Sequence, residues 1–500
     1  MLGTVPKIAK ERTQENQRRI EAAALELFTT QGFHGTNNRE IAAKAGVSTG
    51  TIYTYFPSKE AIFVRLAKNY RAHMEERIQE AVGSLKEPLS RQGLKKLAAA
   101  IRSTMYKEHH YFLLLLCDVI EFRSQHFQEV FRDVPQRFRG LIGPALKRAK
   151  KQPGWRGEDP AFVLASAYLY FFTYFLVERH MRGGRHLGLS WEQATERFID
   201  LLFHGLWRSP PGSSNRRSSG RVNSHRGGPL SHAEHDRIAY LRFLSGRLWS
   251  LPPDVPLSQS QNGAGERLAE RTILFLPEIP RDRIDPSQLR IEAAALELFT
   301  KHGFHGTNIR DIAENAGVSQ GAIYTFYPSK EAIFHGLVRS YRYSMGKFLE
   351  RIFKAMDDPF SSNGLRLFAA AMRSMVYDDA QYWLLMYIDV IEFKNQHFLK
   401  IFRDIPEQFR RLLGPGVTQV RGRSDWCGMD AALVMAMIFF YFHTYFVIEK
   451  LMHHGHKHLG VSDEEVVDRF IDVLSHGLWH SPPSPHHRGS NKVQLVPNRN

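Results

Sequence analysis

Two carboxylates, Asp118 and Glu121, stand three residues apart in LLLLCDVIEFRSQHF, and the pair recurs as Asp389 and Glu392 in LLMYIDVIEFKNQHF. On a helix that spacing brings both onto one face, where paired carboxylates can bind a metal or share acid–base work. A di-iron bundle, however, uses Glu-x-x-His, and His126 lies on a different face from Glu121. The plainer reading is polar side chains satisfied inside or at the edge of a bundle. Phe112, Leu115, Trp383 and Met386, on the same stretches, read either as core or, with the carboxylates, as the lining of a pocket for an apolar small-molecule effector. HHGHKH at 453–458 has metal-like density, but the matching stretch earlier in the chain, RGGRH, holds the single His186, which favours a basic surface loop. The sequence contains no phosphate-cradling glycine loop, zinc-finger spacing or nucleophile motif. Neither an enzyme nor a metal or cofactor is expected.

These pairs belong to a larger repetition. RIEAAALELF starts at Arg19 and again at Arg290, an offset of 271 that also carries Asp118 to Asp389, Pro135 to Pro406 and Glu178 to Glu449. HGLW at His204 matches HGLW at His476 after a one-residue insertion. A repeat this long is a duplicated domain and not a solenoid unit. The expected division is a head at 1–63, a helical domain at 64–207, a linker at 208–287, a second head at 288–334, a second helical domain at 335–480 and a disordered tail at 481–500. The linker opens with SPPGSSNRRSSGRVNSHRGGP, a mixture that cannot build a core, and carries two less polar islands, HDRIAYLRFLSGRLWSL and RLAERTILFLPEIP. Its end-to-end distance of roughly 50 Å would let the halves meet.

Both copies read as all-α. Ile20, Ala23, Ala24, Leu27 and Phe28 form a helical stripe, and Gly32 with Phe33 marks its end. Asn37-x-x-Glu40 reads as a capping box that opens a second helix, and Gly46 closes it. Ser48 caps a very short helix over 49–56, which Pro57 ends, and Ser58 caps a long fourth helix. Two short helices joined by Ala45-Gly46-Val47-Ser48 make a helix-turn-helix candidate. Thr49, Gly50, Thr51 and Thr54 are small enough to let a helix enter a major groove. Tyr53, Tyr55 and Lys59 offer hydroxyls and a cation to phosphates, and the helix starts at Asn37 and Ser48 offer amide donors. Ile52 and Phe56 read as core; Tyr53 could be either core or contact, and Lys59 could also be a solvated surface lysine.

The run TNNREIAAKAGVSTGTIYTYFPSKEAIF resembles the DNA-binding domain of the TetR family of transcriptional regulators, and TNIRDIAENAGVSQGAIYTFYPSKEAIF resembles it at the same positions. Each copy continues for about 150 helical residues, as that family's ligand-binding and dimerising domain does. The resemblance implies groove-facing roles for Thr49, Gly50, Thr51 and Thr54, and for Gln320, Gly321, Ala322 and Thr325. It places DNA contacts at Arg39 and Arg310, and phosphate contacts at Tyr53, Tyr55, Lys59, Tyr324 and Lys330, with Asn308 and Ser319 as the second pair of helix starts. Asn38 departs from the family's usual apolar residue, which Ile309 keeps, and Phe326 lacks the hydroxyl of Tyr55, which Tyr327 is expected to restore nearby. By resemblance the function is an effector-responsive repressor of double-stranded DNA operators.

The heads differ at Thr49/Gln320 and Thr51/Ala322. Gln can bond adenine N6 and N7 together, which Thr cannot. The differences are therefore expected to let an intramolecular pseudo-dimer read two unlike half-sites, one helical turn of DNA or a multiple apart. Neutral drift is the alternative, and a homodimer of whole chains would present four heads.

A formal charge of +16 and a pI near 9.7 suit a polyanionic partner, either nucleic acid or an anionic membrane. Residues 161–177 and 431–448 carry no charge and approach the length of membrane spans. They give the alternative reading, a membrane-associated basic helical protein. Each runs into a glutamate and precedes an amphipathic helix, WEQATERFIDLLFHGLW or DEEVVDRFIDVLSHGLW, which favours a four-helix interface of the TetR kind. With two cysteines at unmatched positions and no secretory signal in the opening residues, a cytoplasmic protein is expected.

Overall fold

A computed structural model describes residues 7–83, 85–127, 134–152, 154–182, 187–206, 285–378, 380–399, 405–414, 420, 422–423, 426–452 and 459–478. The two apolar linker islands, His186, the stretch 453–458 and the C-terminal tail lie outside these residues. In the first repeat α1 (Lys7–Gly35), α2 (Asn38–Ala45) and α3 (Thr49–Tyr55) form the head. The core comprises α4 (Lys59–Gly83), α5 (Arg91–Lys107), α6 (His109–Glu121), α7 (Val134–Lys150), α8 (Pro160–Leu176) and α9 (Trp191–His204). The second repeat follows the same order. Its head is α10 (Pro286–His302), α11 (Ile309–Ala316) and α12 (Gln320–Phe326). Its core is α13 (Lys330–Lys354), α14 (Ser362–Asp378), α15 (Ala380–Glu392), α16 (Ile405–Leu413), α17 (Ala431–Val447) and α18 (Asp463–His476). The fold is all-α.

Local chemistry accounts for the boundaries. Asn37 and Glu40 close a reciprocal capping box on α2, and Gly46 ends it in the left-handed conformation at φ 63°. The second head begins at Pro286, inside the stretch assigned to the linker. Asp285 accepts a hydrogen bond from the Ser287 amide at 2.7 Å, and proline at the first helical position has no amide to satisfy.

The two repeats pack against each other. α8 lies on α17, α9 on α18 and α6 on α15, while α1 reaches α15 and α10 reaches α6. The most apolar windows of the helical stretches 160–180 and 431–451 have the length and composition of membrane spans, yet those windows are 100% and 94% buried inside the protein. Their lipid-like surface is already covered by protein, so the membrane alternative is not favoured. At the far end of this bundle the backbones cross closely. Leu206 donates to Leu474 O at 2.7 Å and Leu478 donates to Leu202 O at 2.8 Å. Gly205 (φ 71°) permits that approach, because a Cβ there would stand 2.5 Å from the Gly477 nitrogen.

Candidate nucleic-acid interface

Each head buries one side of its short third helix and presents the other. Ile52 and Ile323 are fully buried, and Phe56 covers the helix end at 6% exposure, while Tyr53 and Tyr324 are each 56% exposed. Gly50, Thr54, Gln320, Gly321 and Thr325 are exposed; Thr49, Thr51 and Ala322 are half-exposed. Arg39 and Arg310 are exposed on the preceding helices. The two faces are not chemically alike. Ser48 Oγ accepts from the Thr51 amide at 3.0 Å and also pairs with the Thr51 hydroxyl at 2.8 Å. Ser319 makes only the equivalent amide bond, to Ala322 at 3.1 Å. Thr54 and Thr325 donate to the carbonyls of Gly50 and Gly321, at 3.1 and 3.3 Å.

Around these faces the heads diverge further. Asn38 donates to the Tyr53 hydroxyl at 3.1 Å and so orients it, a bond that Ile309 cannot offer Tyr324. The sequence signalled Asn38 only as a departure from an apolar position. Tyr55 is half-buried and its hydroxyl meets Asn16 at 3.4 Å. Tyr327 does not restore that hydroxyl to the surface. It is buried, hydrogen-bonded to Glu292, and accepts from Gln288 at 3.1 Å, because its ring fills the core position that Phe56 holds in the first head.

Residues 20–66 and 291–337 each match the profile of the bacterial regulatory proteins of the tetR family. Both helix-turn-helix units belong to the TetR family. Among similar proteins, the HTH-type transcriptional regulator HbdR of an Aromatoleum species is 38% identical over 88 residues, 18% of this chain and 37% of the relative. The HTH-type transcriptional regulator YerO of Bacillus subtilis is 28% identical over 132 residues, 26% of this chain and 46% of the relative. The HTH-type transcriptional regulator RutR of Escherichia coli is 47% identical over 49 residues, 10% of this chain and 23% of the relative. The chain thus matches less than half the length of each.

Beneath each TetR head, charged groups serve its architecture. Lys59 Nζ donates to the carbonyls of Phe33 and Thr36, both at 2.6 Å, and lies 4.2 Å from the Phe33 ring centroid. Lys330 repeats this with Phe304 and Thr307 at 2.6 and 2.5 Å. Burial lowers the pKa of both lysines. Two half-buried ammonium groups expected on phosphates instead tie the end of each head's first helix to the turn that leads into its second.

The paired carboxylates divide their labour. Asp118 is fully buried and accepts from the amides of His126 and Phe127 at 3.1 and 3.0 Å, with His126 Nδ1 at 2.7 Å. Asp389 does the same for His397 and Phe398. Both anchor the turn that follows their helix. Glu121 accepts from the amides of Phe33 and His34, both at 2.7 Å, and Glu392 from Phe304 and His305 at 3.0 and 2.6 Å. These two glutamates tether each head to the end of α6 or α15. Each of the four carboxylates faces backbone amides.

A small, chiefly apolar cavity opens in the first core, between α4, α5, α6 and α8. Tyr70, Leu97, Ile101, Met105, Phe112 and Phe172 make it apolar, and Arg77, Thr104 and Glu108 supply polar atoms. Of the expected pocket residues Phe112 lies here. Phe112 and Met386 also flank a narrow crevice between the repeats, bordered by His443 and Phe440. Leu115 and Trp383 are fully or almost fully buried core residues. The missed lining residues were detectable by comparing the copies, since Thr104 aligns with Met375 and Arg77 with Phe348.

Proposed function

We propose that the chain is a sequence-specific DNA-binding transcriptional regulator, a repressor acting in the cytoplasm, whose two unlike TetR heads read one operator from a single polypeptide. The observation that carries this is the pair of third helices, each burying its isoleucine and exposing its outward face, with Gln320 standing where the other head has Thr49. The packing of α8 and α9 on α17 and α18 supports pairing within one chain, because it uses the apolar surfaces that a TetR-like dimer needs. The similarity to HbdR, YerO and RutR, all HTH-type transcriptional regulators, supports the same class. The exposed arginines and net basic charge supply the sequence-independent part of the affinity. Effector control follows from an apolar cavity bounded by α4, the helix that emerges directly from the first head.

Selection of sites from random DNA by the full-length protein tests this reading. Enrichment of two unlike half-sites at fixed spacing is expected. A symmetric palindrome would mean that like heads pair between chains, and no enrichment at low salt would remove DNA binding altogether.

A further inference from the structure

Resting on the two-headed regulator reading, we propose that Gly35 and Gly306 are positioning residues that set how closely the heads stand, and with it the half-site separation the chain accepts. At the repeat offset Gly35 corresponds to Gly306 and His34 to His305, and the two heads meet at these four residues. A Cβ on Gly35 would stand 2.8 Å from the His305 Cβ, and a Cβ on Gly306 would stand 2.8 Å from the His34 Cβ. Each histidine thus lies against the other repeat's glycine, the reciprocal pattern of a two-fold contact. Carbon atoms pack at about 3.5–4.0 Å, so neither glycine leaves room for a side chain. The His34 ring adds an edge-on contact with His302, 5.4 Å between centroids. That contact is one-sided, since Gln31 holds the position of His302 in the first repeat.

The meeting point can set a separation because both turns are held on several sides. Phe33 and His34 donate their amides to Glu121, and Lys59 binds the carbonyls of Phe33 and Thr36. The Thr36 hydroxyl closes the turn by donating to Gly32 O at 2.8 Å. The second repeat has each of these bonds again, through Glu392, Lys330 and Thr307. Each turn is thereby fixed to the end of α6 or α15 and to the start of α4 or α13. A displacement at Gly35 passes into the whole head, as strain does in a close-packed interior. The separation of the two third helices in turn decides which half-sites both can reach at once.

Gly35 offers the cleaner test. Its added Cβ would meet His305 and, at an ordinary 3.6 Å, Gln31 of its own helix. One on Gly306 would also strike the His302 carbonyl at 2.1 Å, a collision within its own head.

Spin labels on Ala43→Cys and Glu314→Cys, equivalent exposed positions on α2 and α11, report the head separation in the full chain, whose Cys117 and Cys427 are buried. Without DNA, Gly35→Ala is expected to lengthen the mean distance, and adding His305→Gly, which removes the struck atom, is expected to restore it. An unchanged distance in folded Gly35→Ala, or a change that His305→Gly leaves in place, would overturn the proposal. His305→Gly alone adds no atom and serves should Gly35→Ala not fold. It is expected to broaden the distance distribution, and an unaltered distribution would overturn the proposal. On the operator recovered by selection, Gly35→Ala should favour a spacer one base pair longer over the original by about threefold or more relative to the unaltered chain, with base preferences inside each half-site unchanged. An equal loss at both spacers would overturn the spacing role. Failure to recover any operator would end the regulator reading, while the label distances would still decide whether the glycines hold the heads apart.

Discussion

Glu121 and Glu392 converge on one point between the heads. A Cβ placed on Gly32 would stand 2.6 Å from Glu121 Oε1 and 3.4 Å from Glu392 Oε1. Both side chains are 2% exposed, and each binds two amides of its own head. The geometry places two carboxylates, one from each repeat, at the seam where α1 and α10 enter the cores.

That seam is expected to make stability fall as pH rises toward 8. Burial pushes Glu121 up to about 7 and Glu392 up to about 8, and the nearby Glu121 charge adds to the second shift. Amide donors, Lys59 and Lys330 oppose both shifts without cancelling them. With folded values above unfolded ones, the native state holds more protons between the two, so protonation stabilises it and that contribution is lost as pH passes through 7 to 8. His34, His302 and His305 face the same region with pKa values lowered by burial, so they cost stability as pH drops below 6.5. Melting temperature should peak in mildly acidic buffer, and Glu121→Gln/Glu392→Gln should flatten the decline on the alkaline side. An unchanged slope in the double variant would remove these glutamates as its cause.

Lys59→Ala should act on the head's stability before it acts on DNA. It leaves the Thr36 carbonyl without its donor and the Phe33 carbonyl with the Thr36 amide alone, both in buried residues, a cost of about 1–3 kcal/mol. Arg39→Ala, at an exposed position, should leave the melting temperature unchanged and lower the slope of log affinity against log salt by about one. Melting curves and salt titrations on one DNA fragment separate the two. A stable Lys59→Ala protein with the smaller salt slope would return that lysine to the phosphates.

The sequence made the heads legible nearly residue by residue, because caps and turns are local chemistry. Asn37, Gly46 and Ser48 do what their types and spacing imply. The repeat offset likewise exposed the duplication and the unlike third helices. Lys59 and Tyr327 were not legible, since their partners are distant in sequence: Phe33 and Thr36 for one, Glu292 for the other. The paired carboxylates were visible as a pair, but their separate roles depend on which backbone amides the fold brings near. Asp118 turns to its own loop and Glu121 to the head.

Gly205→Ala should weaken the contact between the halves. The position combines φ 71° with a Cβ that would meet backbone atoms of His476 and Gly477, which cannot move aside as a side chain can. Gly188→Ala supplies the control, with φ 73° and open space around the same Cβ. The difference in unfolding free energy between the two isolates the collision, expected at about 1–3 kcal/mol in favour of the control. Equal losses would mean that backbone strain alone matters at Gly205.

Gln320→Thr should make the second head read as the first does. Gln320 is exposed at the start of α12, where its amide can bond adenine N6 and N7 together, whereas Thr49 brings one hydroxyl and a methyl. In competition against a series of single-base variants of the selected operator, the preference at one position of one half-site should fall by about 1–3 kcal/mol. The other half-site and the salt dependence should stay as they were, since no phosphate contact is altered. The reciprocal Thr49→Gln should create an adenine preference in the opposite half-site. A uniform loss on every sequence would show that Gln320 holds the backbone and not a base, and the unlike heads would then need another explanation.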